Sequence, residues 1–404
     1  MKGLAGGAWF LAVMFLGYFA FTADRTVLSS VLKPLSVAVG GGATYFGVAG
    51  TAWLASAQFI GVLCFVLPSG FLADRYGHRT VIFAGVLIFT AFTWLIGYSP
   101  DFQAAFVFRL VSGFGEGLFW PAAMSAVANY FGGSKGLTLG IFYAGFDLGG
   151  AAGNSIGSVS YALTADWRTA FLVAPLIGIP VMAGVAGSKK SFAAASTKSG
   201  GTSLGKGALT VLRGPRVSAI MAFAFLATWA SIWQVAYLPY YYSEALGASV
   251  PVAGLIAAAV LVSGLFGKVL LGGLSDKVRR DRLLAVLSLA VVASYGVFFS
   301  TANFYVGLGS ALLMGFFSSA IFPVMQALAS DSSAGRTGMA LGLTTTFQSA
   351  AAILGTLLPG SLFYLGVGRS IALGAMIPAF LMLVAAFFLP EQRKNRPAFG
   401  ASNL

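Results

Sequence analysis

Six ionisable residues stand inside otherwise apolar stretches of this sequence: Asp24, Arg25, Arg109, Glu116, Asp147 and Lys268. Three are acidic and three basic, so pairing can bring them close to neutrality. Each costs about 2.5–3.5 kcal/mol at the centre of a bilayer on the insertion scale, so none is expected to face lipid. Arg109 and Glu116 lie seven residues apart, which puts them on one helix face about 10 Å apart along the axis. A guanidinium can hold a carboxylate through two parallel hydrogen bonds, and a buried carboxylate can take up a proton. Such a pair is the minimum apparatus for coupling an anion to a proton, and Asp24-Arg25 supplies a second one. The competing expectation is a set of internal salt bridges that only fix helix packing, most of all for Asp147 and Lys268.

Neutral polar residues add to the candidates. Gln234 and Tyr237 lie deep in an apolar run and could hydrogen-bond a substrate hydroxyl. So could Gln348, one turn after Thr345. Tyr241 and Tyr242, nearer the end of the run, are expected in an interfacial aromatic belt. The single cysteine, Cys64, and single histidine, His78, allow neither a disulfide nor a Cys/His metal cluster. Phosphate cradles and nucleophile triads are missing, so no enzyme is expected. No cofactor is expected either, beyond the proton as coupling ion.

The elements that must position these groups follow from composition. Of 404 residues, 58% are hydrophobic and 9% charged, with a mean hydropathy of +0.88. Soluble domains carry about 25% charged residues, so a water-surrounded globule is excluded. The net charge of +13 does not point to nucleic acid, because the basic residues sit in short gaps between apolar runs. Those runs fall at 8–32, 46–69, 80–98, 104–128, 137–163 and 169–186, then at 217–242, 251–273, 283–301, 304–328, 338–363 and 371–389. They are too long for barrel strands of about 9–11 residues. The expectation is an all-α membrane protein of twelve transmembrane helices, without a cleavable leader. Its divisions would be a six-helix half at 1–186, a flexible polar linker at 187–216, a second half at 217–390 and a tail at 391–404. Lysine and arginine concentrate in the loops on the side of the termini, whereas only Lys33, Arg168 and Arg369 fall on the other. The positive-inside rule then places both termini and the linker in the cytoplasm, with the chain in the inner (plasma) membrane.

The halves repeat. Gly70-Phe-Leu-Ala-Asp74-Arg75 follows the second run, and Gly272-Gly-Leu-Ser-Asp276-Lys277 follows the eighth at an offset of 202. Trp120-Pro121 and Phe322-Pro323 are displaced by the same 202. Duplicated halves joined by a linker fit a transporter whose site lies at their interface. The stretch from Gly70 through Gly77 to Arg79 resembles the loop signature of the major facilitator superfamily, and the likeness covers nearly the whole chain. It implies the twelve-helix, two-half fold of that family. It also implies that Asp74, Arg75, Arg79, Asp276 and Lys277 latch the halves in one state. The second copy departs from the signature, with Arg279 standing where the first has Gly77.

Asp24-Arg25-Thr-Val-Leu28-Ser29 with Pro34, and Arg109 through Gly113-Phe-Gly115-Glu116-Gly117 to Pro121-Ala122, resemble the first-span and fourth-span motifs of the anion:cation symporters. That resemblance implies a secondary active transporter of small organic anions, carboxylates or sugar acids, coupled to protons by alternating access. Arg25 and Arg109 would hold the substrate carboxylate, and Asp24 and Glu116 would exchange protons. Two departures stand out. Asp147 replaces an expected small neutral residue and is a third proton candidate. Lys268 lies where monocarboxylate and oxalate:formate carriers place a substrate arginine, which makes a carrier or exchanger of that type the alternative. An exporter of hydrophobic compounds, with structural arginines, is the other. The expected partners are the small anion and the lipid bilayer, with the chain acting as a monomer and binding no nucleic acid.

Overall fold

The computed structural model describes residues 2–40, 43–45, 48–131, 135–195, 215–275, 277–301, 303–332 and 337–391. The first half contains α1 (Lys2–Ala38), α2 (Gly50–Tyr76), α3 (His78–Ile96), α4 (Phe102–Tyr130) and α5 (Lys135–Thr164). Its sixth crossing is broken into α6 (Arg168–Val173), a 3₁₀ turn (Ala174–Ile177) and α7 (Gly178–Gly187). Then come α8 (Lys189–Ala195), α9 (Pro215–Ala236), α10 (Leu238–Glu244), α11 (Val250–Leu274), α12 (Arg280–Ser300), α13 (Phe304–Ser332), α14 (Thr337–Ser361) and α15 (Val367–Ala386).

Twelve long helical segments are therefore present among the described residues, six before α8 and six after it. Nine of them are long and apolar enough to cross a membrane on length and composition alone. The other three, α4, α5 and α14, carry the buried charges or many small and polar residues, and these lower their hydropathy. Large apolar side chains such as Phe266, Val286 and Phe387 face outward, as a lipid-surrounded bundle requires.

Proline breaks the regular geometry where it removes a donor. Pro34 has no N–H for the Ser30 carbonyl, and Val31 leaves helical geometry at φ −114°. Pro239 interrupts the seventh crossing in the same way, so Tyr237 sits between α9 and α10 outside the helical range.

Three features differ from expectation. A two-strand ribbon, β1 (Thr44–Tyr45) with β2 (Val48–Ala49), joins α1 to α2. Part of the presumed flexible linker is the helix α8, whose Phe192 is buried edge-on against Phe10 of α1. Tyr241 and Tyr242, expected in an interfacial belt, are buried among Trp233, Phe298 and Phe299.

The halves meet most closely at the end of the bundle away from the termini. Lys33 of α1 pairs with Glu244 of α10 at 2.9 Å. Gly360 of α14 lies against Ala52 of α2, and Gly254 of α11 lies against Ser158 of α5. The largest apolar core joins the far part of α1, including Val27 and Leu35, to the second half. A separate core near the termini, built around Phe10, Phe89 and Phe119, belongs to the first half.

Candidate functional site

Glycine sets the spacing of the helices that carry the charges. A Cβ at Gly113 would stand 2.2 Å from the Gln58 carbonyl of α2, and one at Gly115 would stand 2.5 Å from the Gly85 carbonyl of α3. The alternating glycines of the fourth-span motif thus let α4 touch α2 on one side and α3 on the other. On α5, glycines at 145, 149, 153 and 157 form one stripe against α1. Asp147 leaves that stripe and points toward α11.

The four charges of α1 and α4 form two ion pairs, each joining one helix to the other. Arg25 Nε donates to Glu116 Oε2 at 2.7 Å. Arg109 Nη1 lies 3.7 Å from Asp24 Oδ1. Neighbouring residues project about 100° apart around a helix, so the Asp24 and Arg25 side chains pair with different residues of α4. Arg109 and Glu116, two turns apart, are too distant to pair with each other. Each side chain reaches across to the other helix instead.

The two arginines differ in surroundings. Arg109 is 2% exposed and donates to the main-chain carbonyls of Asp24 (3.0 Å) and Arg25 (3.1 Å). It ties α4 to α1. The Arg25 side chain keeps 14% exposure, and its guanidinium lies over the rings of Phe21 (4.2 Å) and Phe59 (5.3 Å). It lines a small cavity between the halves, with Ser29, Gln58, Phe59 and Arg109 opposite Val235 and Ala236. Asp24 faces the other way, into a second small cavity within the first half beside Thr90 and Gly178.

Three neutral residues complete the cluster, and sequence reasoning missed them. Gln58 Nε2 donates to Asp24 Oδ2 at 2.9 Å and also to Glu116 Oε1. It thereby links the two carboxylates. Thr93 donates to Asp24 Oδ1, and Ser112 donates to Oδ2 at 3.4 Å. The available signal was polarity within an apolar run, strongest for Gln58. The sites displaced by 202 from Asp24, Arg109 and Glu116 are Leu226, Ala311 and Ser318, so this charge cluster has no copy in the second half.

Lys268 and Asp147 form a third pair, this time between the halves. Lys268 Nζ stands 2.9 Å from both carboxylate oxygens of Asp147 and 4.6 Å from the Phe146 ring centroid. Asp147 is fully buried, whereas the Lys268 side chain is 15% exposed.

Gln234 and Tyr237 are not brought to the cavity. Gln234 donates to Tyr295 Oη at 2.6 Å and accepts from Ser318 at 3.3 Å. Tyr237 donates to the Thr356 carbonyl at 2.6 Å and is fully buried. The interior of the second half uses both. Gln348 is half-buried on α14.

Among the loop residues, Arg79 donates to the carbonyls of Val185 (3.1 Å) and Ala186 (2.6 Å), within the first half. Arg75 and Lys277 are exposed. Asp276 and the side chain of Asp74 lie outside the described residues. Gly77 has φ +85° and ψ 143°, a conformation nearly confined to glycine. Arg279, at φ −68°, follows another path. It pairs with Asp281 (2.6 Å) and Glu391 (2.7 Å), contacts that raise its guanidinium pKa further.

Comparison with known proteins agrees with this architecture. The profile of the Major Facilitator Superfamily matches residues 14–237 and 217–404, and the chain belongs to that family. It is a multi-pass membrane transporter, not an enzyme. It is 25% identical over 341 residues to the 3-(3-hydroxy-phenyl)propionate transporter of Escherichia coli, covering 82% of each chain. It is 26% identical over 331 residues to the agnestins efflux protein of Paecilomyces divaricatus, covering 78% of this chain and 73% of that one. Its fold is like that of a solved D-xylose-proton symporter, with a TM-score of 0.77 at 17% identity over 94% and 96% of the two chains.

Proposed function

We propose that this chain carries a small organic anion, a carboxylate, together with protons by alternating access. The observation that carries this reading is Arg25. It is the arginine that keeps exposure toward the cavity between the halves, and among the described residues it forms an ion pair with one carboxylate, Glu116. A substrate carboxylate would compete with Glu116 for the guanidinium. A proton on Glu116 removes the competitor and leaves Arg25 in need of an anion. Asp24 holds Arg109 and communicates with Glu116 through Gln58, which makes it the second proton site.

The transporter of 3-(3-hydroxy-phenyl)propionate, a carboxylate, is similar over most of both chains and supports this substrate class. The likeness to an efflux protein supports a second reading, export of hydrophobic compounds with Arg25 and Arg109 acting structurally. Under the first reading the chain works as a monomer in the inner membrane with both termini in the cytoplasm. Reconstituted liposomes distinguish the two. Counterflow of labelled 3-(3-hydroxyphenyl)propionate and of a panel of shorter mono- and dicarboxylates is expected for the wild type and lost in Arg25→Ala. Equal counterflow in both proteins, or transport of uncharged lipophiles alone, contradicts the anion reading.

A further inference from the structure

We infer that Asp147 is an internal substitute for the transported anion. It neutralises Lys268 across the two halves, so that the empty carrier can change its facing and perform net transport rather than obligatory exchange. The inference rests on the carrier reading but not on the identity of the anion.

The reasoning starts from charge balance. Arg25–Glu116 and Arg109–Asp24 are closed within the first half, between α1 and α4. They move as one body and, while both acids are ionised, stay neutral whichever way the halves rock. Lys268–Asp147 joins α11 of the second half to α5 of the first. These two helices run against each other along their length, with Gly254 touching Ser158 and Gly150 touching Leu261.

Any passage between facings goes through a closed, poorly hydrated interface, where an uncompensated ammonium is costly. Asp147 supplies the missing charge from the buried side, and Phe146 supports the ammonium at 4.6 Å. The exposed part of Lys268 leaves it open to a substrate anion, which takes over from Asp147 as the displaced carboxylate takes up a proton from the aqueous side. With Asp147 ionised in the empty carrier and protonated in the loaded one, both are neutral at Lys268. Without it, only the loaded carrier is.

The test has a readout that needs no substrate. Spin labels at Val37 and Leu246, both exposed beside the closed end of the bundle, are attached through introduced cysteines after Cys64→Ser. The distance between them is then measured in empty, reconstituted protein. Wild type should populate two distances and Asp147→Asn one. The double variant Asp147→Asn/Lys268→Gln should recover two. In parallel, Asp147→Asn should keep exchange of labelled 3-(3-hydroxyphenyl)propionate while net uptake falls by roughly tenfold or more. Two distances in Asp147→Asn, or one in empty wild type, overturns the inference. Loss of all carboxylate flux in the wild type, with the distance pattern as expected, sinks only the choice of anion.

Discussion

Arg25 and Arg109 carry the same charge but differ in what they can release. Arg109 bridges two main-chain carbonyls of α1, a geometry that a planar fork fills and a point charge does not. Arg109→Lys should therefore lower the melting temperature of the detergent-solubilised protein, with a smaller effect on the affinity of whatever anion still binds. Arg25→Lys should do the reverse: near-normal melting and at least roughly tenfold weaker carboxylate binding. Ligand-induced thermal shifts check both, and equal shifts for Arg25→Lys and wild type count against the assignment. The six intramembrane charges were legible from residue type alone, since burial in an apolar run is costly without a partner. Their pairing was not, because it depends on how far each helix is rotated toward its neighbours. Gln58 escaped notice for a related reason. A neutral amide in an apolar run carries a weaker penalty than a charge, and only its contact with two carboxylates reveals its part.

At the scale of the helix, the glycine patterns were readable as close packing but not as particular contacts. Gly149 shows what they do: a Cβ there would lie 2.2 Å from the Phe19 carbonyl of α1, with no flexible side chain to yield. Gly149→Val should force α1 and α5 apart and reduce the yield of folded protein, measured as the monodisperse fraction in size-exclusion chromatography. An unchanged yield would mean that this seam tolerates separation. Tyr237 illustrates the opposite difficulty. Its depth in an apolar run was legible, but the helix break that turns its hydroxyl onto Thr356 comes from Pro239, two residues on. Tyr237→Phe should cost about 0.6–1.7 kcal/mol of stability, the range of hydrogen bonds within membrane bundles, and leave carboxylate binding intact. Weaker binding at normal stability would return Tyr237 to the substrate site. Helix α8 was hidden by the polar composition of its surroundings, although Phe192 is the kind of residue that anchors such a segment.

For the molecule as a whole, the duplication was legible from two pairs of motifs at one offset, and with it the two-half fold. The direction in which the bundle is closed was not, because it depends on contacts between halves, such as Lys33–Glu244, that are far apart in the chain. The chemistry is lopsided: both cavity arginines and their acids belong to the first half, and the second supplies Lys268. With all six charges ionised the interior is neutral and offers an anion no net attraction. Each proton taken up leaves one positive charge for the substrate, so anion affinity should rise as pH falls, by at most about tenfold per pH unit for one coupled proton. The sign follows from linkage: if protonation tightens the anion, the anion must tighten the proton. Glu116→Gln fixes the protonated condition and should bind the anion with little pH dependence from this site. The most direct measurement is accumulation of labelled 3-(3-hydroxyphenyl)propionate in proteoliposomes under an imposed inward proton gradient, set beside exchange at equal pH. The wild type should exchange and accumulate, whereas Glu116→Gln should exchange without accumulating. Normal accumulation by Glu116→Gln would contradict the account, because the proton would then be carried elsewhere.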